Sequence, residues 1–255
     1  MKALIDGDSI PFIAACVSDA ERRFYRVHDR EFQYSVEAKK FCAENNIDPA
    51  EAEFVREAGD PQVVIDLTDS IVRGIMEAIS DDIEIYLKGK GNFRETLYPE
   101  YKASRKTLIK PPWHDLSVQV LLEHYDAKIV NGMEADDAVA IRSFETGGVI
   151  CSIDKDLKQV PGLHYDYKKQ EFSSMSPEEA DHFLFTQVIT GDSTDDIPGV
   201  HRYGVKRAHK ALKGCRTVHQ MWDKCVELHG SAASAALTGS LVYLLRYRGD
   251  KWNLG

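Results

Sequence analysis

Four short apolar runs, "ALI" at 3–5, "IEIYL" at 83–87, "AKIV" at 127–130 and "GVICSI" at 148–153, are separated by stretches with helical character. Those stretches are "IPFIAACV", 61–79 with Val64, Leu67, Ile71, Ile75 and Ile79 on one stripe, 114–125 and 133–145. Such alternation predicts an α/β fold with a parallel sheet and helices on both faces, because parallel neighbours need crossover connections. "RRFYRVHDREFQYSV" alternates about "HDRE" and predicts a hairpin. Ser176-Pro177-Glu178-Glu179 supplies an N-cap, a first-turn proline and a capping-box glutamate, opening a helix to about Thr190. The rest of the chain has a helical pattern. We therefore expect an α/β body over 1–190 and a small helical domain over 191–255.

Acidic residues follow the strands. Asp6 comes directly after "ALI", and Asp154 and Asp156 directly after "GVICSI". Glu134, Asp136 and Asp137 open the helix after "AKIV", and Asp192 and Asp195 sit where the helical domain begins. In an open parallel sheet, ligands bind at the carboxyl ends of the strands, so four acidic clusters point at one place. Crowded carboxylates repel one another and take up protons unless cations are present. Oxygen donors without His or Cys suit Mg²⁺ or Mn²⁺, and two such ions roughly 4 Å apart form the clamp that hydrolyses phosphodiesters. For any single cluster, helix capping or a solvated face is an equally good account.

Net charge is −9, which speaks against a chain coated in nucleic acid, but the charge is unevenly spread. Lys88 to Lys110 holds seven Lys or Arg against two Glu, and Gly199 to Arg216 six against no acid, whereas Glu44 to Glu84 is acidic and reads as a solvated face. The first tract interleaves Phe93, Tyr98 and Tyr101 with Lys90, Arg94, Lys102, Arg105 and Lys106, a composition suited to stacked bases and phosphates. The second places Gly199 and Gly204 around a turn and opens a helix with Lys206 and Arg207, a natural phosphate site. Five scattered cysteines without a Cys-x-x-Cys pair suggest neither disulfides nor zinc and fit a reducing cytoplasm. The apolar runs are too short to span a membrane.

"LIDGDS", "FRETLYPEYKASRK", "GMEADDAVA", "SIDKDL" and "GDSTDDIPGVHRYGVKRA" occur in an order that resembles the 5′ nuclease (flap endonuclease) superfamily, phage 5′-3′ exonucleases above all. The resemblance implies a PIN-like nuclease domain, a helical arch at about 88–113, and a helix-three-turn-helix DNA-binding element. It further implies metal-dependent cleavage of DNA near 5′ ends, flaps and branches. Carried over by motif, Asp6, Glu134 and Asp136 serve a first metal; Asp154, Asp156, Asp192 and Asp195 serve a second, with Asp137 adjacent. Lys102 and Arg94 become candidates for the scissile phosphate. A K⁺ ion is implied at the helix-three-turn-helix turn, where Arg202 replaces a glycine usual in relatives. Relatives also carry a metal-site Asp at the end of the strand before the arch, where this chain offers Lys88, a candidate catalytic cation.

Two other readings stay open. A haloacid dehalogenase-type phosphatase would use Asp6 as nucleophile and Asp8 as acid, leaving both basic tracts unexplained. A protein of the nuclease fold that binds branched DNA without cutting it is favoured by Lys88.

Overall fold

The computed structural model describes residues 1–19 and 23–254, apart from the side chains of 106 and 107. In chain order the elements begin with β1 (Ala3–Asp6), α1 (Ser9–Ser18), β2 (Arg23–Val27), β3 (Arg30–Phe32), α2 (Ser35–Glu44), β4 (Glu53–Arg56) and α3 (Pro61–Ala78). There follow β5 (Ile83–Asn92), α4 (Phe93–Leu97), α5 (His114–Tyr125), β6 (Lys128–Gly132), α6 (Ala135–Thr146) and β7 (Val149–Cys151). The chain ends with β8 (Gly162–Asp166), β9 (Glu171–Met175), α7 (Pro177–Thr190), α8 (Val205–Leu212), α9 (Val218–His229) and α10 (Ala232–Val242). They group into two compact units, one of residues 1–8, 74–108 and 126–255, the other of 9–73 and 109–125.

The first unit is built on a six-stranded sheet in the order β6-β5-β1-β7-β8-β9, parallel except for the last strand, which runs antiparallel to β8. β1 is central and reads "ALID" because its apolar residues are covered on both faces: Ala3, Leu4 and Ile5 are wholly buried. Burying a side chain such as Leu4 or Ile5 contributes about 1.5–3 kcal/mol. Gly7 lets the chain leave β1 close to β5, since a Cβ there would stand 2.8 Å from the Tyr86 carbonyl oxygen. The α7–α10 helices share a second core, in which Phe185, Val188, Ile189, Leu212 and Cys225 are buried and Trp222 and Trp252 pack edge to face.

In the second unit β2 pairs with β3 and β4 as a three-stranded antiparallel sheet, so the expected hairpin forms, with His28 in the left-handed region at its turn. Its small core is Val27, Ala38 and Cys42 with Tyr25, Phe32 and Phe41 around them. The stripe expected on α3 is rotated: Thr68 and Val72 are fully buried, whereas Leu67 and Ile71 are half-buried. Thr68 tolerates burial because its hydroxyl bonds the Val64 carbonyl and the Ser117 hydroxyl, each at 2.7 Å. Two elements give no strong sequence signal: α2, which buries only Ala38 and Cys42, and the β8–β9 hairpin.

Candidate active site

The acidic clusters meet at the carboxyl ends of β1, β6 and β7, and a small cleft is lined by Tyr101, Glu134, Asp136, Asp156, Asp192 and Asp195 among others. Asp6 closes β1 and accepts from the Ser152 hydroxyl at 2.9 Å. Asp154 caps the turn after β7, accepting from the Asp156 amide at 2.9 Å, and Asp156 in turn accepts from the Gln187 side chain at 2.7 Å. Burial, and next the charge of Asp8, push the Asp6 carboxyl up to about 7. Burial and Asp154 do the same to Asp156, also to about 7. Asp136 is pushed up by burial and by Asp137 and Glu134 beside it. Among the described residues none of the three has an ion pair, although Lys155 and Arg94 partly offset the shifts of Asp156 and Asp136.

The opposite holds at Glu134. Its Oε1 accepts from Lys102 Nζ at 2.6 Å and Lys88 Nζ at 3.2 Å, and its Oε2 from the Tyr101 hydroxyl at 2.9 Å. Burial alone would raise its pKa, but Lys102, then Arg94, outweigh that and hold the carboxyl at about 2. Asp195 is paired with Lys102 at 3.4 Å and with Arg105, and Asp192 with Lys155 at 2.9 Å. Lys102 itself sits in the left-handed region, φ 55°, its amide bonded to the Asp195 carbonyl at 2.9 Å. A lysine held in that backbone conformation is strained, as residues at functional sites often are.

Arg94, expected at the scissile phosphate, is instead 1% exposed. Its guanidinium is bidentate to Asp137 at 2.6 and 2.9 Å and also donates to the Leu241 and Tyr243 carbonyls at 2.8 and 2.7 Å. Burial opposes the charge on Arg94, yet Asp137 more than offsets it. Asp137 accepts two further bonds, from the Glu134 and Leu245 amides at 3.1 and 3.2 Å, so all its lone pairs are taken. As placed, Arg94 has no donor facing solvent and Asp137 no oxygen for a metal. Together they form an internal strut beneath Glu134. Tyr101, expected to stack on bases, is likewise buried at 2% and serves Glu134, while Tyr98 packs half-buried against the helical core.

Lys90, Arg105, Gly199, Arg202, Gly204, Lys206 and Arg207 are exposed, and Lys106 lies outside the described side chains. Gly204 caps α8. At Gly199 a Cβ would fall 2.0 Å from the Thr190 carbonyl oxygen, so only glycine fits. Arg202 adopts the left-handed φ of 63° that a glycine would accept freely, and its carbonyl accepts from the Arg207 guanidinium at 2.8 Å. An oxygen that could face K⁺ at this turn is therefore already bonded.

Asp8 is a site residue that motif reading left to the phosphatase alternative. Its Oδ1 accepts from the Lys88 amide at 2.8 Å, tying the end of β1 to β5. The signal was present in "DGD", two residues beyond Asp6. Lys88 reaches Glu134, as its position at the end of "IEIYL" allows. Among the described residues no three Asp, Glu, His or Cys side chains stand close enough, as placed, to enclose a metal ion. As oxygen donors, Asp6, Asp136, Asp154 and Asp156, which take hydrogen bonds but among the described residues no ion pair, suit a hard divalent cation, while Glu134, Asp137, Asp192 and Asp195 already have cationic partners.

No protein-family profile matches the chain. It is 29% identical over 175 residues to Flap endonuclease Xni of Shewanella sp. (strain W3-18-1), a match that takes in 62% of this chain. The Xni of Shewanella baltica (strain OS155 / ATCC BAA-1091) is 27% identical over the same length. The chain spans 66% of the length of these relatives. Among solved structures, a zinc-bound T5 5′-exonuclease superposes with a TM-score of 0.62 at 15% identity, covering 95% of this chain and 89% of that one. A bacteriophage T5 flap endonuclease in complex with DNA and metal ions gives 0.60 at 14% identity, covering 96% and 88%. Sequence relatives and fold both match the 5′ nuclease superfamily. In this chain a lysine within β5 reaches Glu134, and an arginine takes the left-handed position in the turn before α8. No helix among the described residues is long and apolar enough to cross a membrane.

Proposed function

We propose that the chain is a divalent-metal-dependent 5′ nuclease that hydrolyses DNA phosphodiesters near 5′ ends, flaps or branches. The observation that carries this reading is the group of carboxylates with no ion pair among the described residues, Asp6, Asp136, Asp154 and Asp156, next to a Glu134 that holds Lys88 and Lys102. Asp6, Asp136, Asp154 and Asp156 would hold Mg²⁺ or Mn²⁺. When bound, such an ion lowers the pKa of a water nucleophile and stabilises charge on the leaving oxygen. Lys102, already fixed at the cleft by its backbone and by Glu134, supplies a positive charge for the scissile phosphate. Tyr101 and the Arg94–Asp137 strut keep Glu134 oriented so that this lysine stays in place.

Residues 191–255 are read as the helical DNA-binding element following a nuclease body of 1–190. There Arg202, Lys206 and Arg207 with the amides at the start of α8 would hold the backbone of duplex DNA, without reading bases. Lys90 and Arg105 extend the basic surface toward a single-stranded 5′ end. At a K⁺ site in this turn the Arg202 carbonyl would offer the one lone pair that Arg207 leaves free.

A binding-only protein is the second reading, favoured by the two lysines that already occupy Glu134. The phosphatase alternative draws no support from the relatives or the fold. Incubation with 5′-flap DNA and with a small aryl phosphate, each with Mg²⁺ and with chelator, separates the three. Metal-dependent cleavage of the flap alone is expected; a DNA complex that is never cut leaves the binding reading, and turnover of the aryl phosphate alone rejects both.

A further inference from the structure

The cleft divides by charge into two corners. At one, Glu134 and Asp195 meet three cations, Lys88, Lys102 and Arg105, and both lysines share the Glu134 Oε1 atom, at 3.2 and 2.6 Å. Glu134 is 6% exposed, its other oxygen is taken by Tyr101, and the Asp137 behind it is saturated by Arg94 and two amides. A divalent ion entering here would have to displace two ammonium groups and would meet their repulsion at contact distance. At the other corner, Asp6, Asp136, Asp154 and Asp156 have hydrogen bonds from Ser152, from Gln187 and from local amides, and among the described residues no ion pair. The cation nearest Asp154 and Asp156, Lys155, is paired with Asp192 at 2.9 Å, and Arg94 beside Asp136 is committed to Asp137, so these four carboxylates are the part of the cleft that calls for a cation.

We infer that Lys88 and Lys102 make the Glu134 corner a built-in cationic site, so that the free chain recruits one divalent ion, to the Asp6, Asp136, Asp154 and Asp156 corner, rather than two. Lys88 is the determining residue. It stands within β5, paired with Val130 just before the register shift toward Asn92, its amide bonded to Asp8 and its side chain directed to Glu134, so it is presented from a strand rather than from a loose loop. The inference deepens the nuclease reading and rests on it for the role of the ion, but the number of ions is read without any cleavage.

The test is a titration of the full chain with Mn²⁺, counting free ion by electron paramagnetic resonance in the absence of DNA, with flap cleavage assayed in parallel. One Mn²⁺ per chain is expected, with affinity lowered at least about tenfold in Asp156→Ala. Lys88→Asp should admit a second Mn²⁺; Lys88→Asp combined with Lys102→Met covers the case in which Lys102 alone still guards Glu134. Two ions in the unaltered chain, or no second ion in either variant, overturn the inference. One bound ion with no flap cleavage supports the count and rejects the nuclease reading; two ions with cleavage do the reverse.

Discussion

Replacing Arg94 by methionine separates a phosphate contact from an internal strut. Arg94 and Asp137 are 1% and 0% exposed, and the substitution strips Asp137 of its two strongest donors, at 2.6 and 2.9 Å, leaving the carboxylate buried with only two amides. It also frees the carbonyls of Leu241 and Tyr243 in the C-terminal segment. Breaking a buried pair from one side costs about 3–5 kcal/mol. At roughly 2–4 °C per kcal/mol for a chain of this size, the melting temperature should fall by roughly 6–20 °C. Arg94→Met with Asp137→Leu should recover more than half of that loss, because the unpaired charge is gone. Thermal and urea unfolding followed by circular dichroism read both. A loss below about 1 kcal/mol for Arg94→Met would refute the strut. If that stable variant had also lost flap cleavage, the arginine would belong at the phosphate after all.

Asp154→Ala or Asp156→Ala should abolish cleavage and leave DNA binding intact, since the basic surfaces are untouched; gel-shift and cleavage assays check this, and more than a few per cent residual activity counts against it. Asp6 and Asp156, both pushed up to about 7, retain protons in the folded chain that the unfolded chain gives up near its ordinary value of 3.8. Their contribution to stability is therefore present below that value and lost as pH rises through about 7. The chelated chain should melt lower at about pH 8 than at about pH 5.5, and Mg²⁺ should restore more at the higher pH; scanning calorimetry showing no such trend would contradict the assignment. Gly199→Ala forces a Cβ against the Thr190 carbonyl at 2.0 Å and should cost about 1–3 kcal/mol while weakening duplex binding. Unchanged unfolding and affinity would show the turn to be more pliant than its geometry implies.

The order of strands and helices, the Ser176 capping box and the placing of acids after β1 and β7 were legible in the sequence, because each depends on local periodicity or on residues a few positions apart. The β8–β9 hairpin was not: β9 lies at the sheet edge with four of its five residues exposed, so no apolar alternation announces it. α2 escaped for a related reason, its buried face amounting to two small residues. Within the cleft, one-dimensional spacing identified the carboxylates but could not say which of them would be neutralised by the protein itself. Arg94 meets Asp137 across 43 positions and Lys102 meets Glu134 across 32, and whether a charge is paired or unpaired depends on distances of a few ångströms that only the packed chain sets. The sequence alone therefore determined where negative charge gathers, and the tertiary structure decided that Glu134, Asp137, Asp192 and Asp195 are ion-paired while, among the described residues, Asp6, Asp136, Asp154 and Asp156 are not, because Coulombic neutralisation acts through space and takes no account of order along the chain.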